Sequence, residues 1–262
     1  MTVFQALVLG IVQGLGEFLP VSSSAHLIIV PWLFGWKEHG LTFDVALHMG
    51  TLLAVIAFFW QDWIMLIKNG FKKPGTREGR LFWYLVIATI PGAIIGKLFE
   101  SKAETVFRSS YLMIAATLII MGIILYVVDR YAVKRKKLEQ VNLVNSVLIG
   151  IAQGFAVIPG FSRSGVTMTA GIAQGMTREA AARFSFLLST PLILGAGVLK
   201  LHKISAADMG LPFWVGIITS AIVGFIAIKF LLRFLQRGSF AVFAWYRFLL
   251  GLIIVVVLLV RG

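Results

Sequence analysis

Six long apolar stretches set the frame of this chain: residues 41–67, 81–98 and 111–128, then 184–199, 211–228 and 240–260. Each approaches the ~20 residues that an α-helix needs to cross a hydrocarbon core about 30 Å thick. Charge punctuates them sparingly: 41–67 holds Asp44 and Asp62, 111–128 holds none, and 240–260 carries only Arg247. Two further apolar stretches are interrupted. Residues 1–36 are broken by a polar cluster from Glu17 to His26 around Pro20, and 142–176 by a second cluster at 159–167. After the first break, Ala25 to Trp36 provides only about 12 residues, roughly 18 Å of helix, which is too short to cross. The pattern predicts two re-entrant helical hairpins, whose irregular backbone is buried in protein or lines a wet cavity. The expected fold is an all-α integral membrane protein, a polytopic helical bundle of two such hairpins plus six transmembrane helices.

Composition agrees and narrows the function. Of 262 residues, 59% are hydrophobic and 13% charged, against about 25% charged in soluble domains, so a soluble globular enzyme is excluded. The formal charge of +13 fits cytoplasmic loops and anionic lipid in a chain this apolar, and no nucleic-acid partner is expected. With no cysteine, disulfides, thiolate chemistry and Cys-ligated metals drop out. The first Lys or Arg is Lys37, so the basic start of a removable signal is missing and the N-terminal stretch is expected to stay in the fold. The whole of 1–262 reads as a single membrane domain.

Basic residues cluster after every second crossing. Lys68, Lys72, Lys73, Arg77 and Arg80 form one group, Arg130, Lys134, Arg135, Lys136 and Lys137 a second, and Lys229, Arg233 and Arg237 a third. The loops at 97–108 and 200–208 are more balanced. The positive-inside rule puts the three clusters in the cytoplasm, both termini outside, and the two hairpins on opposite faces with their tips meeting near the midplane.

An internal repeat supports that picture. Gly10-Ile11-Val12-Gln13-Gly14 returns as Gly150-Ile151-Ala152-Gln153-Gly154, and Ser22 and Ser24 align with Ser162 and Ser164. Phe43 and its apolar run match Phe184 onward, and Ala93-Ile94-Ile95-Gly96 matches Ala221-Ile222-Val223-Gly224. Each half, 1–130 and 142–262, is one hairpin plus three spans, so the second is inverted relative to the first. Inverted repeats with broken helices at the midplane are typical of secondary transporters, which opens a transporter as one functional class.

The polar clusters open another. Gln13 and Glu17 are four apart and share a helix face. Ser22, Ser23 and Ser24 follow the proline, where a helix begins and its free N–H groups can bind an anion; His26 lies just beyond. A plain N-cap would account for one serine, but ionisable groups are costly in a membrane segment and functional by default. In the second cluster Gly160 allows close backbone approach, Ser162 and Ser164 cap a helix, and Arg163 offers a planar fork for phosphate oxygens, with Thr167 nearby. Joined at the midplane, these groups suit phosphoryl hydrolysis, and a site reached from the membrane suits a lipid phosphate.

Gln13-x-x-x-Glu17 followed by Pro20-Val21-Ser22-Ser23, with Pro159-Gly160-x-Ser162-Arg163-Ser164-x-x-Thr167, resembles the two signature motifs of the undecaprenyl-diphosphatase, or bacitracin-resistance, family. The resemblance spans nearly the whole chain. It implies removal of one phosphate from undecaprenyl diphosphate, a polyprenyl diphosphate lipid. That step recycles the carrier of peptidoglycan synthesis and confers bacitracin resistance. It implies a multi-pass protein of the bacterial cytoplasmic membrane, acting on the outer face with a divalent cation, Mg²⁺ or Ca²⁺. Glu17 then becomes the acidic residue, Ser23 the nucleophile, His26 an acid/base candidate and Arg163 a phosphate ligand. Ser22, Ser24, Gly160, Ser162, Ser164 and Thr167 become phosphate-binding. The cation falls to Glu17 and Gln13, where many members carry Glu in place of Gln13; an amide is the weaker ligand. The alternative is a flippase moving polyprenyl phosphate across the bilayer. A homodimer is left open.

Other polar residues draw plainer expectations. Asp44 and His48, four apart at the start of a span, suit a hydrogen bond at a wet edge as well as a role in the site. His39 and His202 fall in loops and are expected to be solvated.

Overall fold

The computed structural model describes residues 1–37, 39–200 and 209–261; His202 lies outside them. Among these residues the chain is helical throughout: α1 (Val3–Phe18), α2 (Ser23–Phe34), α3 (Leu41–Phe58), α4 (Trp60–Lys72), α5 (Arg77–Lys102), α6 (Tyr111–Tyr131), α7 (Leu143–Gly154), α8 (Arg163–Ala173), α9 (Arg178–Lys200), α10 (Leu211–Phe234) and α11 (Ala241–Arg261). Five of them, α5, α6, α9, α10 and α11, are long and apolar enough to cross a membrane.

The sixth expected span differs from its sequence pattern. Instead of one helix over 41–67, α3 and α4 meet at a 77° bend, with the break at Phe59. The 18 residues of α3 reach about 27 Å, and the bent pair taken together makes the sixth candidate span. Beyond the bend Asp62 pairs with Arg183 of α9 at 2.9 Å, while the Phe59 ring, buried, packs edge-on to Phe58 and against Phe186. No glycine or proline marks the turn; side-chain partners from α9 make it.

The two interrupted stretches fold as the contacting helix pairs α1–α2 and α7–α8. Pro20 ends the first arm of one because it can donate no N–H to a continuing helix. Each second arm then starts on a serine N-cap: the Ser22 hydroxyl accepts from Ala25 N and the Ser162 hydroxyl from Gly165 N. These two serines are the non-glycine residues of positive φ among the described residues, at 76° and 70°. Such backbone costs on the order of 1–3 kcal/mol and persists where surrounding contacts hold it.

The repeated glycines explain how the arms seat. α1 lies on α10, and α7 lies on α5. A Cβ on Gly10 would stand 2.8 Å from Thr219 Cβ, and one on Gly14 2.7 Å from Val223 Cβ. Gly150 and Gly154 meet Ala88 and Ile95 in the same way. A Gly-x-x-x-Gly pair lets two helices approach closely in lipid, where packing replaces the hydrophobic drive. Each broken helix is thus clamped to a long helix from the other half of the chain.

Two of the three basic clusters meet at one end. Arg77 and Arg80 from the first, Lys134 and Lys137 from the second, and Arg178 and Arg183 of α9 line a single cavity of about 880 Å³. At that end Arg178 grips buried Asp129 through two bonds of 2.6 and 3.1 Å, tying α9 to α6.

Candidate active site

The two helix breaks meet, and Glu17 stands between them. Its Oε1 accepts from Arg163 at 2.8 Å, and its Oε2 accepts from the Ser23 hydroxyl at 2.9 Å and the Gln13 amide at 3.1 Å. Spacing puts Gln13 and Glu17 on one face of α1; Ser23 opens α2 and Arg163 opens α8. All four are held away from solvent, with the Arg163 side chain 10% exposed and that of Glu17 6%. Two helix N-termini therefore converge on one ion pair, and both present free N–H groups and partial positive charge there. Arg163 is steadied from behind by the Ser185 carbonyl of α9 at 2.9 Å.

The other expected phosphate ligands divide into two matching caps. Ser22 and Ser24 hydroxyls lie 3.2 Å apart, and Ser162 and Ser164 hydroxyls 3.1 Å apart. Cross-bonds then lace the two loops: Gly160 N donates to the Ser22 hydroxyl at 3.1 Å, and the Ser164 hydroxyl to the Leu19 carbonyl at 3.0 Å. Thr167 donates to the Arg163 carbonyl at 2.7 Å and lies 2.7 Å from the Ser185 hydroxyl. These residues shape and join the tips, while Ser23 and Arg163 both bond Glu17. The His26 ring bonds none of those three. Its Nδ1 lies 2.7 Å from the Ser22 carbonyl and its Nε2 2.6 Å from the Tyr246 hydroxyl.

Three polar residues outside the two clusters complete the picture, two of them already open candidates in the sequence. His48 places Nε2 3.6 Å from Glu17 Oε2, so the polar turn that begins with Asp44 does reach the site. Asp44 itself is buried, bonded to His39 at 2.8 Å and Arg108 at 2.6 Å; His39 is accordingly buried, not solvated as its loop position suggests. The third is Arg247, fully buried in α11. It donates to the carbonyls of Pro20 at 2.8 Å, Leu118 at 3.2 Å and Phe161 at 3.2 Å, and to that of Gly160. One guanidinium thereby pins both loop tips to α6. A lone cation in an otherwise uncharged span was the available signal; its main-chain partners leave no trace in sequence.

Removing that clamp strands several buried carbonyls, each worth about 1–3 kcal/mol when unpaired. Arg247→Met is therefore expected to lower the melting temperature in detergent by at least about 8 °C, taking about 1 kcal/mol for each of its four carbonyl partners and about 2 °C per kcal/mol for a chain of this size. An unshifted melting curve would remove Arg247 from the account of how the tips are held.

A divalent cation needs about six oxygen ligands. Here both Glu17 oxygens are taken by protein donors, and Gln13 turns its amide nitrogen to the carboxylate. Gln13 Oε1 is buried without a partner, but it is a single neutral donor. Among the described residues no three His, Asp or Glu side chains gather as a cation-holding group. Gln13 and Glu17 do not fit a metal cage, and no step is assigned to a cation.

Comparison with known proteins covers the full length. A family model described as "Bacitracin resistance protein BacA" matches residues 6–253. An undecaprenyl-diphosphatase of Pelotomaculum thermopropionicum is 59% identical over 261 residues, covering 100% of this chain and 98% of that protein. One of Moorella thermoacetica is 58% identical over 261 residues and 100% of both chains. One of Geobacter sulfurreducens is 48% identical over 262 residues and 96% of each.

Proposed function

This chain belongs to the bacitracin resistance protein BacA family, and on that premise we propose that Glu17, Ser23 and Arg163 are the catalytic centre of its diphosphatase chemistry. The protein is a multi-pass membrane enzyme that hydrolyses undecaprenyl diphosphate to undecaprenyl phosphate and orthophosphate. Its relatives are named as diphosphatases, and the flippase alternative has no support among them. The observation that carries the site assignment is the junction of the two broken helices, where one carboxylate bonds both a serine hydroxyl and an arginine.

The junction suggests how the reaction runs. At rest Glu17 occupies Arg163. The terminal phosphate of the substrate takes the guanidinium, assisted by the N–H groups at the starts of α2 and α8, and Glu17 is released as a base. Glu17 accepts the Ser23 proton as Ser23 Oγ bonds to the terminal phosphorus and the bridging oxygen departs with its electron pair. The leaving lipid phosphate is a stable anion at neutral pH, since a phosphate monoester has a second pKa of about 6; it takes the proton from Glu17. Water, deprotonated by the regenerated Glu17, then splits the phosphoserine. Orthophosphate leaves and Ser23 recovers its proton.

Orientation follows from charge. The shared basic end faces the cytoplasm by the positive-inside rule, which leaves both termini outside; service of the site from the outer side of the cytoplasmic membrane is carried over from the family resemblance. The halves 1–130 and 142–262 are related by inversion; the paired positive-φ serines and the matched helix contacts of α1 and α7 support this.

Arg163→Lys tests the phosphate clamp. A lysine keeps the charge but cannot hold Ser185, Glu17 and a phosphate with one planar fork. Phosphate release is expected to fall by at least about tenfold, the lower end for removing one oriented donor from a developing anion, with the melting curve retained. Near-normal turnover would dismiss the clamp.

A further inference from the structure

The ring of His26 is held from both sides, and the holding residue on the far side is Tyr246 of α11. The Ser22 carbonyl can only accept, so the 2.7 Å contact requires the proton on Nδ1. The Tyr246 hydroxyl, 2.6 Å from Nε2, then donates to that nitrogen. The phenol and imidazole rings also stack, 5.6 Å between centroids and 8° from parallel. No carboxylate bonds the imidazole among the described residues. Both nitrogens are thus committed, and neither faces Glu17, Ser23 or Arg163.

What the ring supports is strained. Ser22 has φ 76°, and its carbonyl takes a bond from His26 Nδ1 as well as from His26 N at 3.2 Å. Ser162 holds the equivalent conformation at the start of α8 with Val166 where Ser22 has His26. A side-chain strut is therefore not needed to form such a cap. It is present only in the half that carries Ser23, the next residue after Ser22, whose hydroxyl must point at Glu17. Misplacing a nucleophile by a fraction of an ångström is costly to the rate.

We infer that Tyr246 and His26 are positioning residues: Tyr246 fixes His26 as the Nδ1–H tautomer, and that tautomer holds the Ser22 backbone so that Ser23 is aimed. This rests on the proposed catalytic role of Ser23. It assigns His26 no proton transfer to substrate.

Asparagine can place its amide N–H where Nδ1–H stands, but it has nothing at Nε2. His26→Ala is expected to lower kcat by at least about twentyfold, and His26→Asn to recover at least about tenfold of that, the worth of roughly one well-placed hydrogen bond. His26→Gln, which reaches the Nε2 position instead, stays at the alanine level. Tyr246→Phe keeps the stack and loses the hydroxyl; kcat falls about fivefold with KM within about twofold, and in the His26→Asn background it has no further effect. Separately, ¹⁵N spectra of histidine-labelled full-length protein in detergent, with His26 assigned by its loss in His26→Asn, should show Nδ1 protonated and Nε2 an acceptor. The Nε2 signal should shift in Tyr246→Phe. An Nε2–H ring, an unmoved Nε2 signal in Tyr246→Phe, or a His26→Asn protein that melts normally yet is as inactive as His26→Ala would overturn the inference. The tautomer is read without substrate, so it still decides this point should wild-type protein release no phosphate, a result that would overturn the hydrolytic scheme itself.

Discussion

Glu17→Gln loses phosphate release by roughly a hundred- to ten-thousandfold, the range expected when a positioned general base is removed. The amide is isosteric and can still accept from the Ser23 hydroxyl, so the geometry of the junction is nearly kept. It cannot take the serine proton. It also surrenders the charge that faces Arg163 at 2.8 Å, leaving the guanidinium free for phosphate oxygens. The loss should therefore fall on kcat, with KM unchanged or lower, the pattern of an interaction needed in the transition state and not for binding. Breaking a buried pair costs about 3–5 kcal/mol of stability, so the melting curve must be measured beside the rate. A folded Glu17→Gln enzyme with ordinary turnover would return Glu17 to a structural hydrogen bond.

Ser23→Ala should be the more severe change if the serine is the attacking group. Removing a nucleophile that acts as a unit with its base costs at least about a thousandfold. Among the described residues Ser23 Oγ bonds Glu17 alone, and α2 takes its cap from Ser22, so alanine at 23 removes little that holds the helix. Substrate binding should persist, since Arg163 and both helix starts remain. Acid quenching of wild-type protein during turnover should trap phosphoserine at this position and none in the variant. Turnover within about tenfold of wild type in Ser23→Ala would instead give the attack to water activated by Glu17, at the general-base magnitude.

How much of this was legible in the chain follows from where each interaction lives. The spans and hairpins are written in apolar length and polar interruption, because lipid punishes unsatisfied backbone. Glu17, Ser23 and Arg163 stood out because ionisable and hydroxylic groups are expensive at membrane depth. The Gly-x-x-x-Gly pairs marked the repeat before their role against α10 and α5 was visible. The bend after Phe58 was hidden, since no breaker residue marks it and its ion pair joins Asp62 to Arg183. Arg247 acts on carbonyls, which every residue has, so its partners could not be read. The partners of His39 and His26 are side chains brought in by folding: Asp44, itself fixed by Arg108, in one case and Tyr246 in the other.

The central claim is that this junction hydrolyses a lipid diphosphate without help from a membrane gradient. The direct measurement is orthophosphate release from undecaprenyl diphosphate by the purified, detergent-solubilised chain, followed in parallel with Glu17→Gln. The account predicts one orthophosphate per lipid consumed, undecaprenyl phosphate as the other product, and loss of both in the variant. It would be contradicted by wild-type protein that binds the lipid in detergent yet releases no phosphate, or by equal release from Glu17→Gln.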